Sequence, residues 1–439
     1  MKKNGFLLLL LLPFFLFNCT PKKKVDYVLP EVSDVVIYQI NPRVFAPENS
    51  FNAIAPHLDS IKSLGCNILW FMPIYEIGQV KSKNSPYSIK DYQSVNPEFG
   101  TLDDFKKLIT LCHEKGLGVI VDWVPNHTAW DSKWVEEHKD WYTQDSIGNI
   151  IYPEGTDWTD VADLNFDNQE MRLAMIDAMK FWVNKVGVDG FRCDAVDFVP
   201  ADFLKQCIDS LRAIPNKKLL MLGEGSRKDH FTSGFDMNYA WGFAEQMRQV
   251  YLKKESASTL FAANTEEYEG VPQGKLKLRF TTNHDESAKH SPITEWVNER
   301  GSMSAYATVA FFPGSVMIYG SQEVGYPNAI NFFEYTPVDW TANPQLRAEY
   351  KKLLAIRSSH DGLRKGALRA FSAGDDALLF ERATDTEKYV VAINVRDSAI
   401  TIALPEGVCN KTYFNLYNEQ NQTLSDSLKL QAFEYLILQ

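Results

Sequence analysis

The chain has 439 residues, room for about three ordinary domains or for one large α/β barrel with an appendage. Hydrophobic residues make up 45% and charged residues 23%, which excludes a disordered, collagen-like or coiled-coil protein. A formal net charge of -11 argues against a surface that tracks phosphates, so nucleic acid is not an expected partner. The 10 Trp and 19 Tyr exceed what a core alone requires; packing at interfaces accounts for most of them, and a surface for stacking sugars is a use for the rest.

The chain opens with Lys2 and Lys3 ahead of an apolar run from Phe6 to Phe17, too short to span a bilayer and suited to a secretory signal. The run stops at Leu16-Phe17-Asn18-Cys19, which resembles a bacterial lipoprotein cleavage box, with Asn18 where a smaller residue is usual. The expectation is a signal peptide over residues 1–18, lipidation of Cys19 and a tether over 19–34 that includes Lys22, Lys23 and Lys24. That is an exported, membrane-anchored protein, periplasmic or at the cell surface. Beyond Cys19 the cysteines are Cys66, Cys112, Cys193, Cys207 and Cys409. They are odd in number and without CxxC spacing, so they read as small buried hydrophobes rather than a disulfide framework or zinc site.

From Val35 onward strands and helices alternate. Strands are predicted at Val35–Ile40, Ile68–Met72, Gly118–Trp123, Gly190–Asp194, Leu219–Gly223, Phe235–Asn238, Leu278–Asn283 and Ser315–Tyr319. Between them lie helical patterns over 51–64, over 101–115 with Thr101 as N-cap, and from about 169 to a stop at Gly187. Eight such units make an α/β fold; the alternation alone would also allow an open doubly wound sheet, and the polar residues clustered just after the strands' C-terminal ends decide for a closed (β/α)8 TIM barrel over 35–360. The 124–168 stretch after the third strand is too long for a loop and reads as a small inserted subdomain. Its tryptophans Trp130, Trp134, Trp141 and Trp158, with Trp123 before them, are either its core or sugar platforms. After a helix near 345–358, short alternating segments over 361–439 predict a C-terminal all-β sandwich domain.

Polar residues gather where the strands end. DWVPNH (122–127) closes the third strand, GFRCD (190–194) the fourth, Glu224 the fifth, and Asn283-His284-Asp285 the seventh. Asp194, Glu224 and Asp285 thus reach one barrel mouth from different strands. Glycoside hydrolysis needs such a group: an ionised carboxylate and a carboxylic acid flanking an acetal, about 5–5.5 Å apart in a retaining enzyme. Arg192, two residues before Asp194, falls on the same side of its strand, where its fixed positive charge is expected to keep Asp194 ionised, as a nucleophile needs.

At these residues the chain resembles the α-amylase family, glycoside hydrolase family 13, over essentially its whole length after the signal. Tyr87 in SPYSIKDYQSVNPEFGT, ADLN (162–165) and GSVMIYGSQEVG (314–325) add to the resemblance. It implies that Asp194 is the nucleophile, Glu224 the general acid/base and Asp285 the residue that binds and distorts the sugar. Tyr87, His127, Arg192 and His284 would line the sugar pocket. Many members bind a structural calcium ion through residues like Asn126 and Asp163, and others lack it, so calcium stays open; no cofactor is required for the chemistry. Ala195-Val196-Asp197-Phe198 departs from the Lys-His pair that starch-degrading relatives often show in the last two places, which puts the leaving-group subsites in question. The expected function is retaining hydrolysis of α-1,4-glucosidic bonds in starch, glycogen or maltooligosaccharides. Alternatives are an oligosaccharide-specific α-glucosidase, cyclomaltodextrinase or transglycosylase and, more remotely, an inactive glycan-binding relative. Oligomeric state and bond selectivity stay open.

Overall fold

The computed structural model describes residues 27–439. Cys19, the signal segment and most of the tether lie outside the described residues. Eight parallel strands close into a barrel in sequence order: β1 Val36–Ile40, β2 Ile68–Phe71, β3 Gly118–Trp123, β4 Gly190–Cys193, β5 Leu220–Gly223, β6 Met237–Tyr239, β7 Leu276–Arg279 and β8 Ser315–Tyr319. The ring shuts where Val36 of β1 pairs with Val316 of β8. All eight fall at the predicted places. Their β-branched runs are apolar on both faces because a parallel barrel is covered by helices outside and packed within.

Two faces of each strand feed two cores. Ile37, Ile68, Trp70, Ile120, Leu220, Leu222, Met237, Leu278 and Met317 fill the barrel interior, whereas Tyr38, Leu69, Val119, Val121 and Ile318 pack outward under the helices. The helix Leu102–Glu114 begins as its sequence predicts, with a reciprocal capping box between Thr101 and Asp104. The helix from Gln169 runs to Phe181 and widens into a π-turn over Trp182–Val186; Gly187, at φ 97°, ends it.

Three segments differ from expectation. The 51–64 helix is broken into Ser50–Ile54, a 3-10 turn Ala55–His57 and Leu58–Ser63, because Pro56 lacks the N–H that a continuous helix needs. Strand β7 ends at Arg279 instead of Asn283. Residues after it leave the sheet so that the Asn283 side chain can accept from Glu286 N and start the short helix His284–Ser287. Cys409 is half-exposed, whereas the other four cysteines in the described residues are buried and unpaired.

The inserted subdomain stands over the mouth on a two-stranded ribbon, His127–Ala129 against Val161–Asp163. Trp123 and Trp141 are core residues, and Trp158 lines the open pocket described below. Beyond the helix Pro344–Ser359 a six-stranded antiparallel sheet and a two-stranded sheet form the C-terminal all-β domain around Leu379, Val390, Leu428 and Leu436. This domain is bonded to the barrel through Arg382, which donates to Phe311 O, and Arg396, which donates to Val250 O. Among the described residues no helix is long and apolar enough to cross a membrane.

Candidate active site

Along the strands the inward-facing side chains are apolar in the lower layers and polar in the last. Gln39 follows Ile37, Asp122 follows Ile120 and Arg192 stands directly beside Asp122 in the β3–β4 register. The site is therefore the top layer of the barrel interior, capped by residues just past the strand ends.

Arg192 is the centre of that layer. It is fully buried, and its Nη1 donates to Asp122 Oδ1 at 2.7 Å and to Asp194 Oδ1 at 2.9 Å. Nη2 lies 2.8 Å from Glu224 Oε2 but off the line along which an N–H would donate, so that contact is ionic rather than an aligned hydrogen bond. The rings of Trp70, Tyr239 and Tyr87 surround the guanidinium, with centroids 5.0, 5.6 and 5.8 Å away, and their π-faces favour its charge. One cation thus serves three carboxylates. Burial, against the pull of Arg192, pushes Asp122 up to about 6, and Asp194 is likewise raised by burial and by its acidic neighbours. The expectation that Arg192 keeps Asp194 ionised is therefore not met in this structure: Arg192 bonds Asp194 and pulls it down, but burial and the neighbouring acids that share the guanidinium outweigh that pull.

Backbone geometry aims the carboxylates. Asp194 N donates to Trp123 O at 2.7 Å, and Glu224 N donates to Cys193 O at 2.9 Å, which extends the ladders of β4 and β5 by one residue. Ala195 turns left-handed at φ 45°, and its N–H donates to Glu224 Oε2 at 2.9 Å. The side chains of Asp194 and Glu224 keep 12% and 17% exposure and that of Asp285 keeps 37%, so all three present oxygens to the cavity. Burial also raises Asp285.

A proton chain fixes the opposite wall. The Gln39 amide nitrogen can only donate, so His284 Nδ1, 2.8 Å away, accepts and the ring proton sits on Nε2. Nε2 donates to the Tyr87 hydroxyl at 2.6 Å, and Tyr87 donates to Asp122 Oδ2 at 3.1 Å, where Trp70 Nε1 also donates at 3.2 Å. Burial and Arg192 lower His284 to about 3, and burial lowers His127 to about 4, so both act as neutral groups. Tyr87 and His284 stack at 5.3 Å, and Phe332 stands edge-on to both.

Together these residues line a cavity of about 460 Å3 with Lys83, Trp158, Phe332 and Phe333. The structure brings Asp194, Glu224, Asp285, Tyr87, His127 and His284 to one pocket, with Arg192 buried beneath it and bonded to Asp194. Asp122, Trp70, Gln39, Phe332 and Phe333 were not singled out from sequence. Only Asp122 carried a signal there: an acid in the apolar run Gly118–Trp123, in phase with inward-facing Ile120.

Asn126 and Asp163 lie on neighbouring segments under the inserted subdomain, but Asn126 Nδ2 faces His127 Nδ1 at 3.4 Å, and Asp163 has a carboxyl raised by burial. Among the described residues no group of three or more His, Cys, Asp or Glu side chains gathers as a metal cage. The Asn126 amide oxygen and the half-buried Asp163 carboxylate are the oxygen donors that would hold a calcium ion there.

A buried guanidinium with carboxylates at the C-terminal mouth of a (β/α)8 barrel defines the class of site that acts on glycosides. Residues 39–367 match the α-amylase catalytic domain, and the chain belongs to the α-amylase family. It is 27% identical over 393 residues to α-amylase MalA of Haloarcula japonica, covering 85% of this chain and 57% of that protein, so it spans little more than half the relative's length. It is 31% identical to a probable oligo-1,6-glucosidase 2 of Bacillus subtilis, covering 91% of this chain and 97% of the relative. The solved structure of the maltogenic α-amylase AmyB of Thermotoga neapolitana superposes with a TM-score of 0.83 at 25% identity, covering 93% of this chain and 99% of that one.

Proposed function

We propose that this protein hydrolyses α-1,4-glucosidic bonds of starch, glycogen or maltooligosaccharides with retention of configuration. The observation that carries the reading is Arg192 holding Asp194 and Glu224 within one pocket whose far wall is Tyr87, His284 and Asp285. In the first half-reaction Asp194 Oδ attacks the anomeric carbon, the glycosidic bond breaks and its electron pair takes the proton that Glu224 gives up. The product is a glycosyl ester on Asp194 and a free aglycone hydroxyl. In the second, Glu224 removes a proton from water, the oxygen attacks the same carbon, and Asp194 leaves as carboxylate. Neutral His127 meets a sugar hydroxyl without adding charge, and neutral His284, with both nitrogens taken by Gln39 and Tyr87, holds the Tyr87 ring in the wall, so neither imidazole opposes the developing oxocarbenium ion.

The segment ahead of residue 27 supports export and attachment to a membrane through a lipidated Cys19. The enzyme would then act on glucans outside the cytoplasm.

The test is the anomer formed first from an aryl α-maltoside, followed by proton NMR, alongside Asp194→Asn. The α-anomer should appear first, and the variant should lose about 10⁴-fold or more in turnover with an unchanged melting curve. A β-anomer, or a variant within about tenfold of the natural protein, would overturn the assignment.

A further inference from the structure

The segment 79–86, in the loop after β2 that leads into Tyr87, contributes Lys83 and Ser85 to the pocket wall. Its root is pressed onto the inserted subdomain: a Cβ on Gly78 would sit 2.2 Å from the Ala129 Cβ, so only glycine allows this approach. From there Gln79 N donates to Asp131 Oδ2 at 3.0 Å, and the Lys81 ammonium lies 3.6 Å over the Trp130 ring. Lys83 Nζ donates to Asp157 O at 3.3 Å and pairs with Asp160 at 3.4 Å.

The next residue reaches the other rim. Asn84 is left-handed at φ 61°, and its Nδ2 donates to Phe333 O in the loop after β8. Buried Arg43 locks the join by donating to Asn84 O at 3.0 Å, Asn84 Oδ1 at 3.3 Å and Phe333 O at 2.9 Å. Glu98 holds that guanidinium at 2.9 and 2.8 Å. Consecutive residues are therefore tied to opposite rims, and the segment is a strap rather than a free loop.

The chemistry fixes which end of the substrate meets the strap. An acid must face the oxygen of the departing sugar, so the aglycone leaves on the Glu224 side, where Phe198 is 51% exposed beside Trp158. The family resemblance assigns the glycone to Tyr87, His284 and Asp285; Phe332, which packs edge-on to Tyr87 and His284, leads directly into Phe333 and its bond to Asn84. A glucan chain extending in that direction meets the strap.

We propose that the 79–86 strap closes the glycone end of the pocket, so that the enzyme takes one glucosyl unit from a free non-reducing end and releases glucose. This rests on the retaining glucosidase reading above and specifies its substrate as an open chain end.

The experiment compares three maltoheptaose-derived substrates: an open chain labelled at the reducing end, the same chain blocked at its non-reducing end, and the cyclic heptamer. The labelled chain should shorten one sugar at a time with glucose as the companion product, and the blocked and cyclic forms should turn over about 100-fold more slowly. Asn84→Gly keeps the left-handed backbone and removes the rim contacts, and Lys83→Ala frees the other end. In at least one of them the blocked-to-open rate ratio should rise about tenfold, whereas damage to folding alone would lower both rates together. Blocked or cyclic heptamer cut within about threefold of the open chain would overturn closure, and an unchanged ratio in both variants would overturn the strap as its cause. If neither these substrates nor an aryl α-glucoside is cleaved, it is the glucosidase reading itself that falls, and the strap's role with it.

Discussion

Replacing Asp122 by Asn separates what this residue does for the site from what it costs the fold. The group is fully buried, and its rise from 3.8 to about 6 means that ionising it in the native state costs about 3 kcal/mol more than in the unfolded chain. Its folded pKa is raised, so the native state holds a proton more firmly between about pH 4 and 6. Stability therefore falls as pH rises through that window, and the full cost is present at pH 7. Asn removes this cost and keeps an oxygen for Arg192 Nη1. It places an N–H where Oδ2 had accepted from Trp70 and Tyr87, and the orphaned Trp70 donor costs about 1–3 kcal/mol. The two terms nearly cancel at pH 7, where the melting temperatures should agree within a few degrees. Near pH 4.5 the relief shrinks to about 1 kcal/mol, and the variant should be less stable by up to about 2 kcal/mol. Turnover behaves differently, because the Tyr87 hydroxyl, which accepts from His284, then faces a second donor and loses the acceptor for its own proton. Tyr87 and His284 shift together, and kcat should drop about 10²-fold at pH 7 despite the intact fold. Melting curves of both proteins from pH 4.5 to 8, with turnover at pH 7, decide the matter. A stability gap that does not move with pH would refute the buried-acid argument, and unchanged kcat would remove Asp122 from the positioning of Tyr87.

Glu295 is buried, its Oε1 accepts from Arg248 Nε and Nη2, its Oε2 has no hydrogen-bond partner, and burial pushes it up to about 7. Stability should fall between about pH 4.5 and 7 on its account, so Glu295→Gln should be more stable than the natural protein by about 2–3 kcal/mol at pH 8 and show no gain at pH 4; an equal gain at both pH values would contradict the assignment. If a calcium ion is held by Asn126 and Asp163, excess chelator should lower the melting temperature by several degrees and added calcium should restore it; an unchanged melting temperature in protein shown to hold no metal would leave the two as plain hydrogen-bonding groups.

The barrel was legible because a parallel strand covered on both faces must be apolar throughout, and its ends are marked by the polar residues that leave the core. Asp194 and Glu224 follow from that rule, since each sits immediately beyond a strand, whereas Asp285 lies six residues past the end of β7 and is marked by the Asn283-His284-Asp285 motif instead. The Thr101 cap and the Gly187 stop were equally local. Residues whose roles depend on register were not legible. Asp122 and Arg192 are 70 residues apart in sequence, and only the β3–β4 pairing sets them side by side. Phe333 likewise lies 249 residues from Asn84, and nothing near either residue announces the contact between them.

Asp197 shows how a departure from the family pattern can be a change of task. In place of a cation for the leaving sugar, its carboxylate accepts from Ser226 N at 2.9 Å and Arg227 N at 3.2 Å, and His230 Nε2 lies 3.2 Å from Oδ1. Burial alone would raise this acid, but His230 and the two amides outweigh it and hold the carboxylate below its usual range. A lysine here would point donors at donors. The loop it braces begins two residues after Glu224, and Val196 N donates to Glu224 O from the same turn. Asp197 thus braces the loop that follows Glu224, and under the proposed mechanism contact with the departing sugar would pass to Phe198 and Trp158, 5.4 Å apart and uncharged. Apolar rings grip a sugar through its faces and not through fixed hydrogen bonds, which fits the proposal that selectivity resides at the glycone end.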